Sequence, residues 1–347
     1  MNQYKKWLTH HLAIIMSTII GIGTINYILD PFWCFGHQHS LNLWQKAPNE
    51  RQQKANKLYF SPPQYDTLLL GSSRTTFLRQ TDFKNLNVFN FSASAMRPDE
   101  YLAYIDFAIE DTKQPIENII IGLDFFGYLT DESYQNINPE EIVNATKSPY
   151  YRWKTLVSYD AANNSIRNLR NVLNPSHQNM TYDRNNIHRL FKNNPNNINP
   201  IEMQKDVGNY TKNEYAGQPD SNFRYIMNRI KTKHGDRTII IYTTPVSEPL
   251  FRKMITVGHY PHYEKWLKEL VAVYGSVYHF MYLHPIAKNY SAYFIDSNHA
   301  YPETNALIAK IIDSRLDPKS ENFGMILTRD NIDYKLQQLR RLNGISR

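Results

Sequence analysis

The chain opens on an unbroken apolar stretch. Residues 12–29 read LAIIMSTIIGIGTINYIL and carry no charge. About 20 such residues cross the hydrocarbon core of a bilayer as a helix, so the pattern predicts one transmembrane span at the short end of that range. Apolar side chains fall on every face, unlike the one-sided stripe of a helix packed on a core. Lys5 and Lys6 precede the stretch and Asp30 follows it. The positive-inside rule then puts residues 1–11 in the cytoplasm and everything after Asp30 outside it. Tyr27, Phe32 and Trp33 suit an interfacial belt on the outer side. A cleaved signal peptide is the competing reading. Tyr27-Ile28-Leu29-Asp30-Pro31-Phe32 lacks the small-x-small site that cleavage needs, so an uncleaved signal anchor is expected.

Residues 30–64 are mixed and polar, with a helix expected near Asn49–Leu58, and close on Pro62-Pro63. They read as a stalk or lead-in. From Asp66 the pattern changes. Leu68–Leu70, Val88–Phe91, Ile119–Leu123, Thr238–Tyr242 and Val277–Phe280 are short apolar runs of the kind that form strands covered on both faces. Between them, helical spacing marks 98–110, opened by Pro98, and 262–274, stopped by Gly275. A further helix is expected over 303–315. Alternating strands and helices predict an α/β domain over residues 65–315, a three-layer sandwich with a central parallel sheet. Residues 130–222 interrupt it. They are rich in Asn and Tyr, read as an insertion, and show helical character near 149–173. Disorder is the alternative for 193–200. In the tail, 316–347, apolar Ile332, Leu336, Leu339 and Leu342 mark one face of a helix over 331–342. That helix has three possible destinations: its own domain, the membrane or a partner.

Composition narrows the class. The chain has 347 residues, 41% hydrophobic and 20% charged, enough for one large domain with appendages. The net charge of +7 suits an anionic surface such as phospholipid headgroups or an acidic polysaccharide. Nucleic acid is not expected, because no Lys/Arg run of five and no recognition motif is present. The single cysteine, Cys34, excludes an internal disulfide and a thiolate zinc site. His259 and His262 are spaced like metal ligands but have no third ligand nearby, and no metal or cofactor is expected.

Two motifs carry the chemistry. Leu68-Leu69-Leu70-Gly71-Ser72-Ser73-Arg74 is a strand running into a tight turn with an exposed serine. Backbone N–H groups at such a helix start can stabilise an oxyanion. Its structural alternative is a strand-end turn with Ser72 or Ser73 as a helix cap. Tyr293-Phe294-Ile295-Asp296-Ser297-Asn298-His299 places a carboxylate three residues before an imidazole. Asp296 would take the Nδ1 proton of His299 and turn Nε2 toward Ser73. Arg74 is either a binder of substrate carboxylate or phosphate, or half of a structural ion pair.

In this order the motifs resemble the SGNH (GDSL-like) hydrolase superfamily, in its membrane-anchored branch that includes the DltD, AlgJ and AlgX proteins. The resemblance runs over about residues 10–315. It rests on the anchor, Asn26-Tyr27, Asp30-Pro31, Gly71-Ser72-Ser73-Arg74, Asn90-Phe91-Ser92-Ala93-Ser94-Ala95, Ile121-Gly122-Leu123-Asp124-Phe125-Phe126 and the Asp296–His299 block. It implies Ser73 as nucleophile, His299 as base and Asp296 as its partner. Ala95 stands where the family offers a glycine N–H to the oxyanion, and Asp124 stands where it carries an asparagine amide. An ionised Asp124 would repel an oxyanion, so it must be protonated, turned away or otherwise used.

The resemblance implies a protein facing outside the cytoplasm, periplasmic or extracellular, that moves O-acyl groups on or off a cell-envelope polysaccharide, beside a multi-pass O-acyltransferase. The departures at Ala95 and Asp124 motivate the other expectation, a non-catalytic carbohydrate-binding or assembly partner.

Overall fold

The five apolar runs from residue 66 onward form strands β1 Thr67–Leu70, β2 Val88–Asn90, β3 Asn118–Leu123, β4 Thr238–Thr243 and β5 Ser276–His279. A sixth strand, β6 Met325–Thr328, lies in the tail. In the computed structural model these build one sheet in the order β2-β1-β3-β4-β5-β6. The structure describes residues 2–62, 64–112, 114–130, 137–174, 180–190, 199–316, 318 and 323–345; the Asn-rich run at 191–198 lies outside them.

Strands β1 to β5 are parallel and β6 runs antiparallel to β5. The sheet is therefore mixed and mostly parallel rather than wholly parallel. Strand β6 escapes a pattern search because it is a short edge strand with only alternate residues buried. Every residue of β1 and β3 is buried, which accounts for their continuous aliphatic sequence. Strand order reverses between β1 and β3, with β2 on one side and β4 on the other. In open α/β sheets the crevice beyond the carboxyl ends at such a switch point is where ligands bind.

Flanking helices follow the sequence signals closely. Pro98–Asp106 begins at its proline, with Glu100 Oε1 accepting from Arg97 N–H at 3.1 Å. Tyr260–Tyr274 ends at Gly275, whose φ is +85°. Helix Pro302–Asp313 follows the Asp296–His299 turn. The tail helix Ile332–Asn343 docks on its own domain. Arg340 makes a fork to Glu264 at 2.7 and 2.6 Å, and Asn343 Oδ1 accepts from Leu283 N–H.

The chain divides into two compact units: residues 1–63 with 140–191, and residues 64–139 with 192–347. The 130–222 insertion is thus split: its two ends, 130–139 and 192–222 with helix Pro200–Glu214, belong to the sheet-bearing unit, and 140–191 to the other.

In the first unit the apolar segment is a helix over Asn2–Leu29, long and apolar enough to cross a membrane. The lead-in caps it. The last carbonyls of a helix have no partner within it. Here His37 bonds the Tyr27 carbonyl, His39 and Asn42 the Ile28 carbonyl, and Gln45 the Leu29 carbonyl. Asp30 then accepts from the Cys34 and Phe35 N–H groups and pairs with buried Arg184. Helix Glu50–Phe60 and a three-stranded antiparallel sheet (Trp44–Gln45, Met180–Asp183, His188–Leu190) complete this unit. The expected stalk is a packed collar. Cys34 is buried within it, and burial pushes its thiol up to about 12.

Two histidines lie deep in the second unit. His279 Nδ1 accepts from Thr243 Oγ1 at 2.8 Å, and its Nε2–H donates to Tyr263 Oη at 2.7 Å, which itself donates to the Met281 carbonyl. The partners set this tautomer: Tyr263 spends its one proton on the Met281 carbonyl, so Nε2 carries the ring hydrogen and Nδ1 accepts from Thr243. His284 accepts from Ala287 N–H and donates to the Phe280 carbonyl. Burial pushes His279 down to about 3, with His284 adding to it, and pushes His284 down to about 4. Folded-state values below the unfolded 6.5 mean that the unfolded chain takes up more protons between those limits. Stability is therefore full above about pH 6.5 and falls as pH drops toward 3–4. We expect the melting temperature to decline already between pH 6.5 and 5, above the ordinary carboxylate range; a flat profile there would show that these rings accept protons in the fold.

Candidate active site

Strand β1 ends at Leu70, and helix Ser73–Thr76 starts three residues later. The turn between them requires Gly71. Its φ is +154°, and a Cβ there would stand 2.3 Å from Thr75 Oγ1 and 2.9 Å from the Gly122 carbonyl. Ser72 caps the helix by accepting from Arg74 N–H. Ser73 is left as its first residue, half-buried, with its N–H unused by any hydrogen bond among the described residues. Asn90, at the end of β2, holds this turn in place: its amide donates to the carbonyls of Thr75 and Leu78 at 2.9 and 2.8 Å.

The loop after β2 runs alongside, with Ala93 N–H bonded to the Gly71 carbonyl. Ala95 is exposed and adopts φ +52°, a left-handed conformation that costs a residue with a Cβ roughly 1–2 kcal/mol. The backbone is one that glycine adopts freely, although the residue carries a methyl group. Among the described residues the Ala95 N–H also makes no hydrogen bond. Two residues on, Arg97 begins the lining of a cavity of about 310 Å³, with Pro98, Gly127, Leu129, Asp220 and Phe223.

The imidazole comes from the other end of the domain. Phe294 bridges Ala300, and Ile295 N–H bonds the His299 carbonyl, so Asp296–His299 forms a closed turn. Asp296 Oδ1 accepts from the backbone N–H groups of Asn298 and His299 at 2.9 and 2.7 Å, and Oδ2 accepts from His299 Nδ1–H at 2.7 Å. That tautomer leaves Nε2 as the acceptor for Ser73 Oγ–H, also at 2.7 Å. Burial alone would raise the Asp296 carboxyl. The His299 charge and hydrogen bond and the two backbone donors outweigh it and hold Asp296 below the ordinary carboxylate value. Asp296 therefore stays ionised throughout the neutral range and fixes the ring.

Two candidate residues have another use. Arg74 and Asp124 are both buried and pair at 3.1 Å, side chains 3% and 2% exposed. Thr244 Oγ1 donates to Asp124, Arg74 donates to Tyr210 Oη, and the guanidinium lies against the rings of Phe126 and Tyr210. Burial works against the Arg74 charge, and Tyr210 and Asp124 more than offset it, so its pKa stays above the ordinary value. The ion-pair reading of Arg74 is the one the geometry matches, and Asp124 is otherwise used, as its counter-charge.

Asp206, Tyr210 and Thr244 went unseen in the sequence. Helix Pro200–Glu214 brings Tyr210 to Arg74 beside the serine, and Asp206 to Ser297 N–H at 2.9 Å within the Asp–His turn. It braces both halves of the site. Nothing in its weak periodicity marks these residues. Thr244 follows the carboxyl end of β4, a position that does signal a site in such sheets. His259 meets His262 Nδ1 to Nδ1 at 3.2 Å and bonds the Tyr215 carbonyl through Nε2. Among the described residues no group of three His, Cys, Asp or Glu side chains is placed to hold a metal.

No family model, curated protein or solved structure matches this chain.

Replacing Asp124 by the amide tests the pair directly. Asp124→Asn leaves a buried guanidinium without its counter-charge, and we expect a stability loss of about 3–5 kcal/mol in urea unfolding. An unchanged midpoint would mean that Arg74 is neutralised by another group.

Proposed function

We propose that this chain is a membrane-anchored SGNH-type serine acyltransferase or esterase, working outside the cytoplasm on O-acyl groups of a cell-envelope polysaccharide. The observation that carries the reading is the hydrogen-bonded line Ser73–His299–Asp296, with 2.7 Å at both joints. The sheet order, with Ser73 following β1 beside the switch point, supports the three-layer SGNH/flavodoxin-like fold within this reading. The long apolar helix supports the anchor.

The chemistry follows from the geometry. Ser73 Oγ attacks the acyl carbonyl as its proton passes to His299 Nε2. The C–O bond to the donor alcohol breaks, and the alcohol leaves with the proton that His299 returns. Water or a sugar hydroxyl then attacks the acyl-serine, His299 taking and returning a proton again. The Ser73 and Ala95 N–H groups are the oxyanion donors in this scheme. Asp124 replaces the amide that the family would supply there, and loss of one such donor lowers turnover by about 10²–10³. The loss slows hydrolysis and transfer alike, so turnover is slow with either acceptor; in the transfer case a multi-pass O-acyltransferase supplies the acyl group. The same missing amide favours a second reading, a non-catalytic carbohydrate-binding or assembly partner built on a catalytic frame.

A fluorophosphonate probe on the full chain in detergent separates the two. Covalent labelling that is lost in Ser73→Ala, and reduced at least tenfold in His299→Ala, is the expected result, read by mass spectrometry of the labelled peptide. A wild-type chain that takes no label, while folded by circular dichroism, overturns the enzymatic reading.

A further inference from the structure

In the first unit the apolar helix is packed on two shorter helices. Its residues 12–29 are about 27 Å long at 1.5 Å per residue, so Gly23 lies roughly 9 Å below Leu29. Helices Tyr151–Leu156 and Tyr159–Leu173 reach that level. A Cβ on Gly23 would touch Leu156 at 4.0 Å. Asn26 Nδ2 donates to the Leu156 carbonyl at 2.8 Å, and Ser165 Oγ donates to Asn26 Oδ1 at 2.9 Å. If residues 12–29 span the bilayer, as proposed above, these two short helices are held at the depth of the outer leaflet.

Their outward residues fit that depth. Tyr159, Ile166 and Leu173 recur every seven residues on one exposed stripe, 83%, 49% and 74% exposed. Trp153 and Val157, each 55% exposed, extend the apolar surface to the helix before. Arg167 and Arg170 are exposed on the same helix. Aromatic and aliphatic side chains beside arginines make the composition of a helix lying in a bilayer interface, its apolar face about 5–10 Å deep and its cations at lipid phosphates. Five large apolar side chains left in water would be an unusual patch for a soluble surface.

We propose that residues 151–173 form an interfacial helix pair seated in the outer leaflet, in contact with lipid and with anionic headgroups. The hydrogen bonds of Asn26 to Leu156 and Ser165 fix the pair to the anchor, so this unit holds the membrane by a collar of lipid-seated helices as well as a span.

Spin labels on the full chain test this, in vesicles of phosphatidylcholine and phosphatidylglycerol. The sites are Ile20→Cys in the span, Tyr159→Cys and Ile166→Cys on the stripe, and Tyr225→Cys, which is 63% exposed on the second unit, as the aqueous control. Cys34 stays unlabelled, being buried with an unreactive thiol. Collision rates with oxygen and with a water-soluble nickel chelate are compared. We expect the oxygen-to-nickel ratio at 159 and 166 to exceed that at 225 several-fold, approaching that at 20. Aqueous values on the stripe with a lipid value at 20 overturn the collar and leave the anchor standing. An aqueous value at 20 overturns the anchor itself. Shielding of the stripe from both reagents overturns lipid contact in favour of a protein partner or a second copy.

Discussion

An imidazole can accept a serine proton through one nitrogen only while the other keeps its hydrogen, and the arrangement around His299 turns on that condition. Asp296 imposes it. Its carboxylate is held by two backbone N–H groups of the same turn and by His299 Nδ1–H. The turn in turn is anchored by Ser247, which bonds the Ser297 carbonyl, and by Asp206, which takes the Ser297 N–H. The opposite nitrogen then meets a hydroxyl whose position is fixed by Gly71, the Ser72 cap and the Asn90 amide. Two loops remote in sequence are thus each rigid before they meet. An ordinary helix cap at Ser73 would need neither the closed Asp–His turn nor its alignment.

The ion pair of Arg74 and Asp124 is the cost side of the same site. Charges so fully withdrawn from water are tolerated only when paired and bonded, and a hydrophobic pair of equal volume would often be as stable. What the pair adds is connection. Arg74 follows the serine directly, Asp124 follows β3, Thr244 follows β4 and Tyr210 comes from helix Pro200–Glu214. Three other segments converge on the guanidinium of the residue after Ser73. An asparagine at 124 would donate to an oxyanion but would not neutralise that guanidinium. In this chain position 124 serves the scaffold, as the counter-charge of Arg74 and the acceptor for Thr244.

The parts of this fold legible in sequence were those with a local physical signature. Fully buried strands such as Leu68–Leu70 and Ile119–Ile121 announce themselves because both faces need aliphatic side chains, and Pro98 and Gly275 mark helix ends through their own backbone chemistry. The Asp296 and His299 spacing was legible because three residues is the reach of a turn. Strand β6 was not, since an edge strand needs apolar residues on one face only. The collar formed by residues 30–62 was not, because its order comes from side-chain bonds to helix carbonyls, and polar residues that cap look like polar residues in a loop. Tyr210 and Asp206 were hidden for a related reason: their partners lie more than ninety residues away.

Asn26 shows how such hidden polar contacts constrain one another. Within an apolar helix an amide costs several kcal/mol if nothing meets it in hydrocarbon. In sequence it is the one amide in a run whose other polar residues are hydroxyls. In the fold both ends of the amide are bonded, to the Leu156 carbonyl and the Ser165 hydroxyl, and Ser165 is itself buried. The Leu156 carbonyl belongs to the last turn of its helix, where it too lacks an internal partner. Two orphan groups that would each be expensive if left unpaired satisfy one another. A polar side chain in the apolar helix is therefore the contact by which helices Tyr151–Leu156 and Tyr159–Leu173 are held against it.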